Sequence, residues 1–494
     1  MAQQGYREPN VYTTTTRVTP VVPETPVDMY PLVIGTGIAI SKRYDVGYTV
    51  PKQYAPIVFD ETVTAIGKVY TIDEWGEEKE IGSEYWTLDT EYSVEGDSNT
   101  YTALVWTAAE SGEILAQKEG LISDVVGSAN SVVYLDYTAE AGDDHYTLQR
   151  FTLEDDIADF YGEDVVEDTV NKISLGAQVV MAAGSPVVYV LQVPEAKEGE
   201  DLVMKYFEAL EENVVDLAAQ PIWRIVAVDE GVEKSIRRYV NEMSLPEERS
   251  EKFANLVCNV DGITSFADRT VDGETVKGIL STYEEFVAKF GSYRYQTLYP
   301  NKANYTFSDG VERVVDGAII ACAYAGFEQT LERKSQSATN SSIPAGIFNL
   351  LAKEVKNVKL KRAEKNALAS LGVTLLTQQT EYGAINVRDA LSMDMTTYQV
   401  QDPCVTMAAD FTAKTLRRQL GVYIGKYNID PETISKVRAT ADTVLAGLVQ
   451  DKVIKSYEIV SLMQDTDNPQ CLVMQIRVGV LYPLKQIDIN IILD

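Results

Sequence analysis

Hydrophobic and polar positions follow two rhythms along this chain, and the switching between them is clearest from about Gly372 to Asp494. Ile385 and Val387 alternate with Asn386 and Arg388, the period of two that places successive side chains on opposite faces of a strand. From Asp402-Pro403 the period lengthens. Val405, Ala408, Phe411, Leu416 and Leu420 fall near one helical face, and Gly421 suits the stop. A second helix is predicted from Asp430-Pro431-Glu432: Asp430 caps free amides, proline fits the first turn, and Glu432 faces the positive end of the dipole. Its apolar stripe is Ile434, Val437, Ala441, Val444, Leu445 and Leu448. Leu472, Met474, Ile476, Val478 and Val480 return to the period of two. After Pro483, Ile487, Ile489, Ile491 and Leu493 alternate with Gln486, Asp488, Asn490 and Ile492. So apolar and β-branched a final segment needs a sheet edge, in its own domain or in a neighbouring chain.

Upstream, residues 1–28 hold Pro9, Pro20, Pro23 and Pro26 around a threonine run with no helical period, which predicts an extended arm. Pro31-Leu-Val-Ile opens the folded part as a strand. From Tyr54 to Phe151 the pattern is repeatedly strand-like, as in Tyr101–Trp106, Ser131–Tyr137 and Tyr146–Phe151, with turn clusters between. An all-β module over 54–151, inserted into the surrounding fold, is expected. Strands at Val187–Val193, Trp223–Val228, Phe253–Val260 and Tyr293–Tyr299 alternate with helices near 201–217, 232–242 and 277–290, an α/β series. Val311–Phe327 reads as a helix rich in small residues, and Ser335–Ser342 as a polar loop and plausible boundary.

Composition narrows the function. The net charge is −31, yet residues 345–494 carry 17 Lys+Arg against 16 Asp+Glu, so the acid is concentrated in the first 344 residues. That balance argues against nucleic-acid binding by the chain as a whole and fits a solvated, mutually repulsive outer surface. The exceptional stretch is Lys353–Lys365, with Lys353, Lys356, Lys359, Lys361, Arg362 and Lys365. The longest apolar candidate, Gly317–Gly326, is too short to span a bilayer, and Met1-Ala-Gln-Gln lacks the features of a signal peptide, so cytoplasmic synthesis is expected. Cys258, Cys322, Cys404 and Cys471 form no CxxC pair and read as free thiols, with no metal site expected.

No catalytic constellation emerges. His145 is the one histidine, which removes histidine triads and multi-histidine metal sites. Gly421-Val-Tyr-Ile-Gly425-Lys426 has three residues between its glycines where a phosphate loop has four, and it follows a helix. Gly35-Thr-Gly37 lacks the third glycine of a dinucleotide fingerprint. A non-enzymatic role without cofactors is expected.

The ordered set of C-terminal features resembles the contractile tail sheath proteins of bacteriophages and related injection machines. It comprises Gly372-Val-Thr374, Asn386-Val-Arg388, Asp402-Pro403 with Leu416-Arg-Arg-Gln-Leu420, Tyr423-Ile-Gly-Lys426, Lys455-Ser-Tyr457, and a strand after Tyr482-Pro483. Pro9-Asn10-Val11-Tyr12 is similar to the family's Pro-Gly-Val-Tyr start, with Asn in place of Gly. The resemblance implies an α+β / α/β multidomain fold: a mixed-sheet sheath core with an inserted all-β domain and extended arms. The expected divisions are an arm at 1–28, a middle domain at 29–53 and 152–344, the insertion at 54–151, a tube-facing domain at 345–482 and an arm strand at 483–494.

It also implies hexameric rings of this chain stacked around a tail tube protein, with baseplate and tail terminator proteins at the ends, located in the virion, and contraction that drives the tube through the host envelope. Val11, Tyr12, Ile487, Ile489, Ile491 and Leu493 are then candidates for intersubunit strand addition. Lys414, Arg417, Arg418, Lys436 and Arg438 are candidates to face the tube, and reversal of Arg417 and Arg418 is expected to spare the fold but impair assembly on the tube. A sheath from a non-phage injection system, or a surface carbohydrate- or receptor-binding module using the β insertion, are the alternative readings.

Overall fold

A computed structural model describes residues 29–487 apart from 39, 50–55, 95–98, 109–113, 124, 126–127, 129, 141, 167–168, 197–199, 215–220, 246–249, 272 and 486. Its centre is a nine-stranded mixed sheet. Across the sheet the strands run Ser342–Ile343, Ile385–Asp389, Val373–Gln378, Tyr295–Tyr299, Phe253–Asn255, Ile222–Ala227, Tyr30–Gly35, Val188–Gln192 and Gln149–Phe151. The six central strands from Val373–Gln378 to Val188–Gln192 pair in parallel, and antiparallel strands close both edges. Parallel strands must be covered on both faces, which explains their nearly unbroken apolar sequences.

Period two divides those side chains between two cores. Val33, Val188, Val190, Val226 and Leu298 pack under the helices Lys172–Ala182 and Gly317–Glu328. On the other face Leu32, Ile34, Leu191, Ile225 and Ala254 pack with the helices Leu202–Asn213 and Glu233–Met243. Between Ile40 and Glu140 the structure is mainly antiparallel strands, in sheets of four and three that share a separate core around Phe59, Leu104, Trp106, Val133 and Leu135.

The sheets cross two expected divisions. Ile40–Thr49 pairs with Val132–Glu140, so the strand-rich block starts before residue 54, and Gln149–Phe151 belongs to the central sheet. Ser342–Ile343, Val373–Gln378 and Ile385–Asp389 also belong to the central sheet, so it continues past 344. One local reading changes as well. Glu312–Asp316 is a strand paired with Lys302–Thr306, and the helix starts at Gly317, where the Asp316 carboxylate accepts the Ala318 amide at 3.0 Å. The Pro403–Leu420 helix stops at Gly421 as read, although Gly421 stays right-handed and leads into a short 3-10 turn; Gly425 takes the left-handed conformation.

The buried centre of the sheet is charged. Arg224 donates from Nε and Nη2 to the Glu328 carboxylate at 2.8 and 2.6 Å, and from Nη1 to Asn255 at 2.5 Å and Gln296 at 2.8 Å. One side chain thus ties three adjacent strands to the Gly317–Glu328 helix, and every partner is buried. Removing one member of such a set strands an uncompensated charge. Glu328→Ala is expected to destabilise the protein by about 3–5 kcal/mol in urea unfolding, whereas an exposed pair such as Arg238–Glu242 should cost under about 1 kcal/mol. Cys258, Cys322 and Cys404 are buried, and burial pushes the Cys258 thiol up to about 12. A thiol reagent added to the native protein should therefore label the half-exposed Cys471 first.

Candidate functional site

The last described unit is built from two helices and a hairpin. Pro403–Leu420 starts where the Asp402 carboxylate accepts the Cys404 amide at 3.1 Å, and Pro431–Gln450 where Asp430 accepts the Thr433 amide at 2.8 Å. Ala408, Leu445, Leu448, Val453 and Ile454 fill the space between them. The strands Ser456–Gln464 and Leu472–Gly479 form a two-stranded antiparallel sheet against the second helix, with Tyr457, Ile459, Ile476 and Val478 turned toward that core. The Tyr457 hydroxyl donates to Asp442 at 2.8 Å and fixes the hairpin's seat.

Among the described residues both long edges of this hairpin are unpaired. A lone two-stranded sheet is a weak unit, and its free amides and carbonyls are a template for another strand. Val460, Met463 and Val473 are exposed on it, and Tyr482 and Leu484 follow it. The chain then returns to the central sheet, where Lys485 Nζ meets Asp389 at 2.7 Å and Asp402 at 3.2 Å. Burial opposes the Lys485 charge, but the two carboxylates outweigh it and hold the ammonium above its ordinary range. Asp402 also accepts the Ser337 hydroxyl at 2.7 Å, so the polar loop expected as a boundary is instead stapled to the helix start and the tail. Of the strand-addition candidates, Ile487 is 71% exposed; Val11, Tyr12, Ile489, Ile491 and Leu493 lie outside the described residues.

The unit docks on the amino ends of the parallel strands. Met407 packs with Met29, Trp223 and Phe253, each at or just before the start of a strand. Beside them the buried Asp410 carboxylate accepts Trp223 Nε1 at 2.8 Å and Arg294 Nη2 at 3.0 Å, with a second Arg294 bond from Nη1. Burial pushes the Asp410 carboxyl up, opposed by the Arg294 guanidinium and the Trp223 donor.

The five expected tube-facing cations are not equivalent. Lys414 Nζ is buried at this junction and makes no hydrogen bond there, and burial lowers its pKa to about 8 despite Asp410 and Glu251 nearby. Arg417 pairs with Glu251 across the same junction, whose carboxyl is held low by that partner against its burial. Charge reversal at Arg417 therefore attacks the docking of the unit, contrary to the sequence expectation. Arg418 lies next to it, half-buried. Lys436 pairs with Glu432 at 2.6 Å and Arg438 Nη2 reaches the Ile459 carbonyl at 3.4 Å, both on the second helix. The connecting loop adds Ile424, 75% exposed, and the exposed Tyr427, which the sequence reading passed over because a loop has no hydrophobic period.

The opposite ends of the strands are where open α/β sheets bind ligands, at the point where strand order reverses. Here that point lies between Tyr30–Gly35 and Ile222–Ala227. Asp229 sits over it and accepts the Thr36 amide at 2.6 Å, the Thr36 hydroxyl at 2.8 Å and the Tyr206 hydroxyl at 2.5 Å. His145 is buried, stacked on Phe160 with ring centroids 4.3 Å apart, and its Nε2 lies 2.7 Å from the Phe160 carbonyl oxygen. It is a packing residue at the base of the strand-rich block, in the short acidic turn Asp143–Tyr146. Among the described residues no group of three His, Cys, Asp or Glu side chains is placed to hold a metal, and no helix is long and apolar enough to cross a membrane.

The junction makes a pH-dependent prediction. Lys414 binds its proton less tightly folded, at about 8, than at its ordinary 10.5, so its contribution to stability rises with pH between those values. In urea unfolding the wild type should gain on Lys414→Met by on the order of 2 kcal/mol from pH 7 to 10, and a constant difference would refute the burial of this ammonium.

No family model matches the chain, and no curated protein matches its sequence. Solved structures do match. The helical sheath of the anti-feeding prophage in its contracted state superposes with a TM-score of 0.53 at 13% identity, covering 70% of this chain and 88% of that one. The sheath complex of PVC, an extracellular contractile injection system, in its contracted state gives 0.51 at 12% identity over 70% of this chain and 87% of that one. A chain of the anti-feeding prophage baseplate gives 0.51 at 13% identity over 71% and 88%. The chain has the fold of contractile sheath proteins.

Proposed function

We propose that this chain is the structural, non-catalytic subunit of a contractile sheath, polymerising around a rigid tube in hexameric rings and contracting to drive that tube through a target envelope. The observation that carries the reading is the open hairpin Ser456–Gln464/Leu472–Gly479, in a chain with the sheath fold. A free edge beside an apolar, alternating terminal segment suits strand addition between copies, in which backbone bonds give affinity and alternating side chains give register. Because donor and acceptor are different parts of the chain, the contact is heterologous and extends into rings or helical stacks.

The tube-facing surface in this reading is the turn between the two C-terminal helices, with Ile424, Tyr427 and Lys426, flanked by Arg418, Lys436 and Arg438. Exposed contacts of this kind are individually weak, about 0–1 kcal/mol per ion pair, and so releasable when the sleeve moves. Tube, baseplate and terminator proteins are the partners of this reading, and a phage tail in the virion is its setting. A non-phage injection system is the second reading, favoured by the two sheath structures matched above, one of which is of an extracellular contractile injection system.

Negative-stain electron microscopy tests the reading on the full chain and on a version lacking residues 486–494, which retains the Lys485 anchor. Sleeves or ring stacks are expected from the first and dispersed, folded monomers from the second. Sleeves formed equally well by the shortened chain would rule out terminal strand addition.

A further inference from the structure

Among the described residues of this acidic chain, a group of lysines without ion-pair partners rims a cavity. The cavity, about 530 Å³, opens where strands Tyr295–Tyr299 and Val373–Gln378 end. Tyr299, Pro300, Leu350, Leu360, Leu375 and Leu376 form its apolar walls, and Lys353, Lys356, Lys359 and Lys365 stand around it. Among the described residues none of these lysines is in an ion pair, and Lys353, Lys356 and Lys359 are exposed. Glu354 and Glu364 are the acidic residues of the segment, and Glu364 is occupied in accepting the Lys361 amide at 2.6 Å. An apolar hollow with a cationic rim is matched by an apolar side chain flanked by carboxylates.

The same chain carries such a feature elsewhere. Helix Glu154–Tyr161 opens with Glu154, Asp155 and Asp156, with Asp159 one turn on, all four exposed and none in an ion pair among the described residues. Leu153, immediately before them, is 61% exposed, while Ile157 and Tyr161 on the other side of the helix are buried. The helix follows the edge strand Gln149–Phe151, and four strands lie between that edge and Tyr295–Tyr299 under the cavity. The two features therefore occupy different regions of one molecule. Crowding shows in the acidic turn itself: partial burial and the neighbouring Asp155 raise the Glu154 carboxyl, a cost that nearby lysines would relieve.

We propose that the lysine-rimmed cavity receives the Leu153–Asp156 turn of a second copy of this chain, Leu153 entering the apolar hollow and Glu154, Asp155 and Asp156 meeting Lys353, Lys356, Lys359 and Lys365. The proposal rests on the self-assembly reading and adds to it a contact separate from the terminal hairpin. It gives the charge asymmetry of the chain a use: the basic island on one copy is neutralised by the acidic part of the next.

The test uses two full-length versions, both with Cys471→Ser, one carrying Lys359→Cys and the other Asp155→Cys; both introduced positions are exposed. Circular dichroism confirms that each is folded. The two are mixed and oxidised at low salt. The expected result is a disulfide-linked product containing both chains, formed several-fold more than with Glu74→Cys in place of Asp155→Cys. It should be lost near 1 M salt, where the screening length falls to roughly 3 Å. No mixed product, or equal yield with Glu74→Cys, overturns the contact. The same mixture viewed by electron microscopy separates the two claims. Sleeves without the mixed product overturn this contact and leave the sheath reading standing, while the mixed product without sleeves supports the contact and counts against the sleeve.

Discussion

Everything the C-terminal unit does depends on a single buried carboxylate. Asp410 leaves the Pro403–Leu420 helix and is shared between Trp223 and Arg294, at the amino ends of two strands of the central sheet that flank Phe253–Asn255. Taking a carboxylate out of water is costly, and only a geometry that satisfies both oxygens offsets it. That demand fixes the helix on the sheet in one position, which apolar contact between Met407, Trp223 and Phe253 would not do by itself. Arg417 with Glu251 at the rim, and Lys485 with Asp389 and Asp402, hold the same unit at further points. The unit is thus fastened by charge at its margins and by a charged hydrogen-bond set at its centre.

The sequence made this unit's elements legible because each has an unambiguous signal. Asp402-Pro403 and Asp430-Pro431 cap helices as read, and the alternation at 472–479 is a strand. The sheath resemblance read from the ordered motifs agrees with the fold. Elements without a local signal went unread or were misread. Lys172–Ala182 is a helix buried nearly all round, so it has no stripe to detect. Glu312–Asp316 was merged into the following helix because Asp316 reads equally as a helical residue or as a cap. Pairings such as Ile40–Thr49 with Val132–Glu140 and Tyr295–Tyr299 with Val373–Gln378 were not legible, because a sheet collects strands from distant parts of a chain and pairing leaves no trace in composition. Lys414 shows the limit for single residues: its position in the sequence places it among surface cations, and only tertiary packing turns its ammonium inward.

Charge is distributed by depth as well as along the chain. The excess acid sits largely on exposed positions of the strand-rich block and the helices around the sheet, while the interior holds arginines matched to carboxylates, Arg224 with Glu328 and Arg294 with Asp410. In the proposed assembly, surface acid would repel between copies and the local cationic island would decide where they approach. Such a surface discourages indiscriminate aggregation while leaving a few permitted approaches.

Trp223 and Arg224 are consecutive residues at an irregularity of one strand, where Tyr30 faces Ile222 and Pro31 faces Arg224, and the Arg224 guanidinium lies 5.3 Å from the centre of the Trp223 ring and 4.6 Å from that of Phe253. Trp223 reaches the C-terminal unit through Asp410, and Arg224 reaches the Gly317–Glu328 helix through Glu328. The stacked indole, phenyl ring and guanidinium thus join the two carboxylates in one contact set, so the C-terminal unit and the Gly317–Glu328 helix are coupled through adjoining side chains. Loss of either carboxylate would then loosen both attachments at once, because each bears on the same stack of rings and guanidinium.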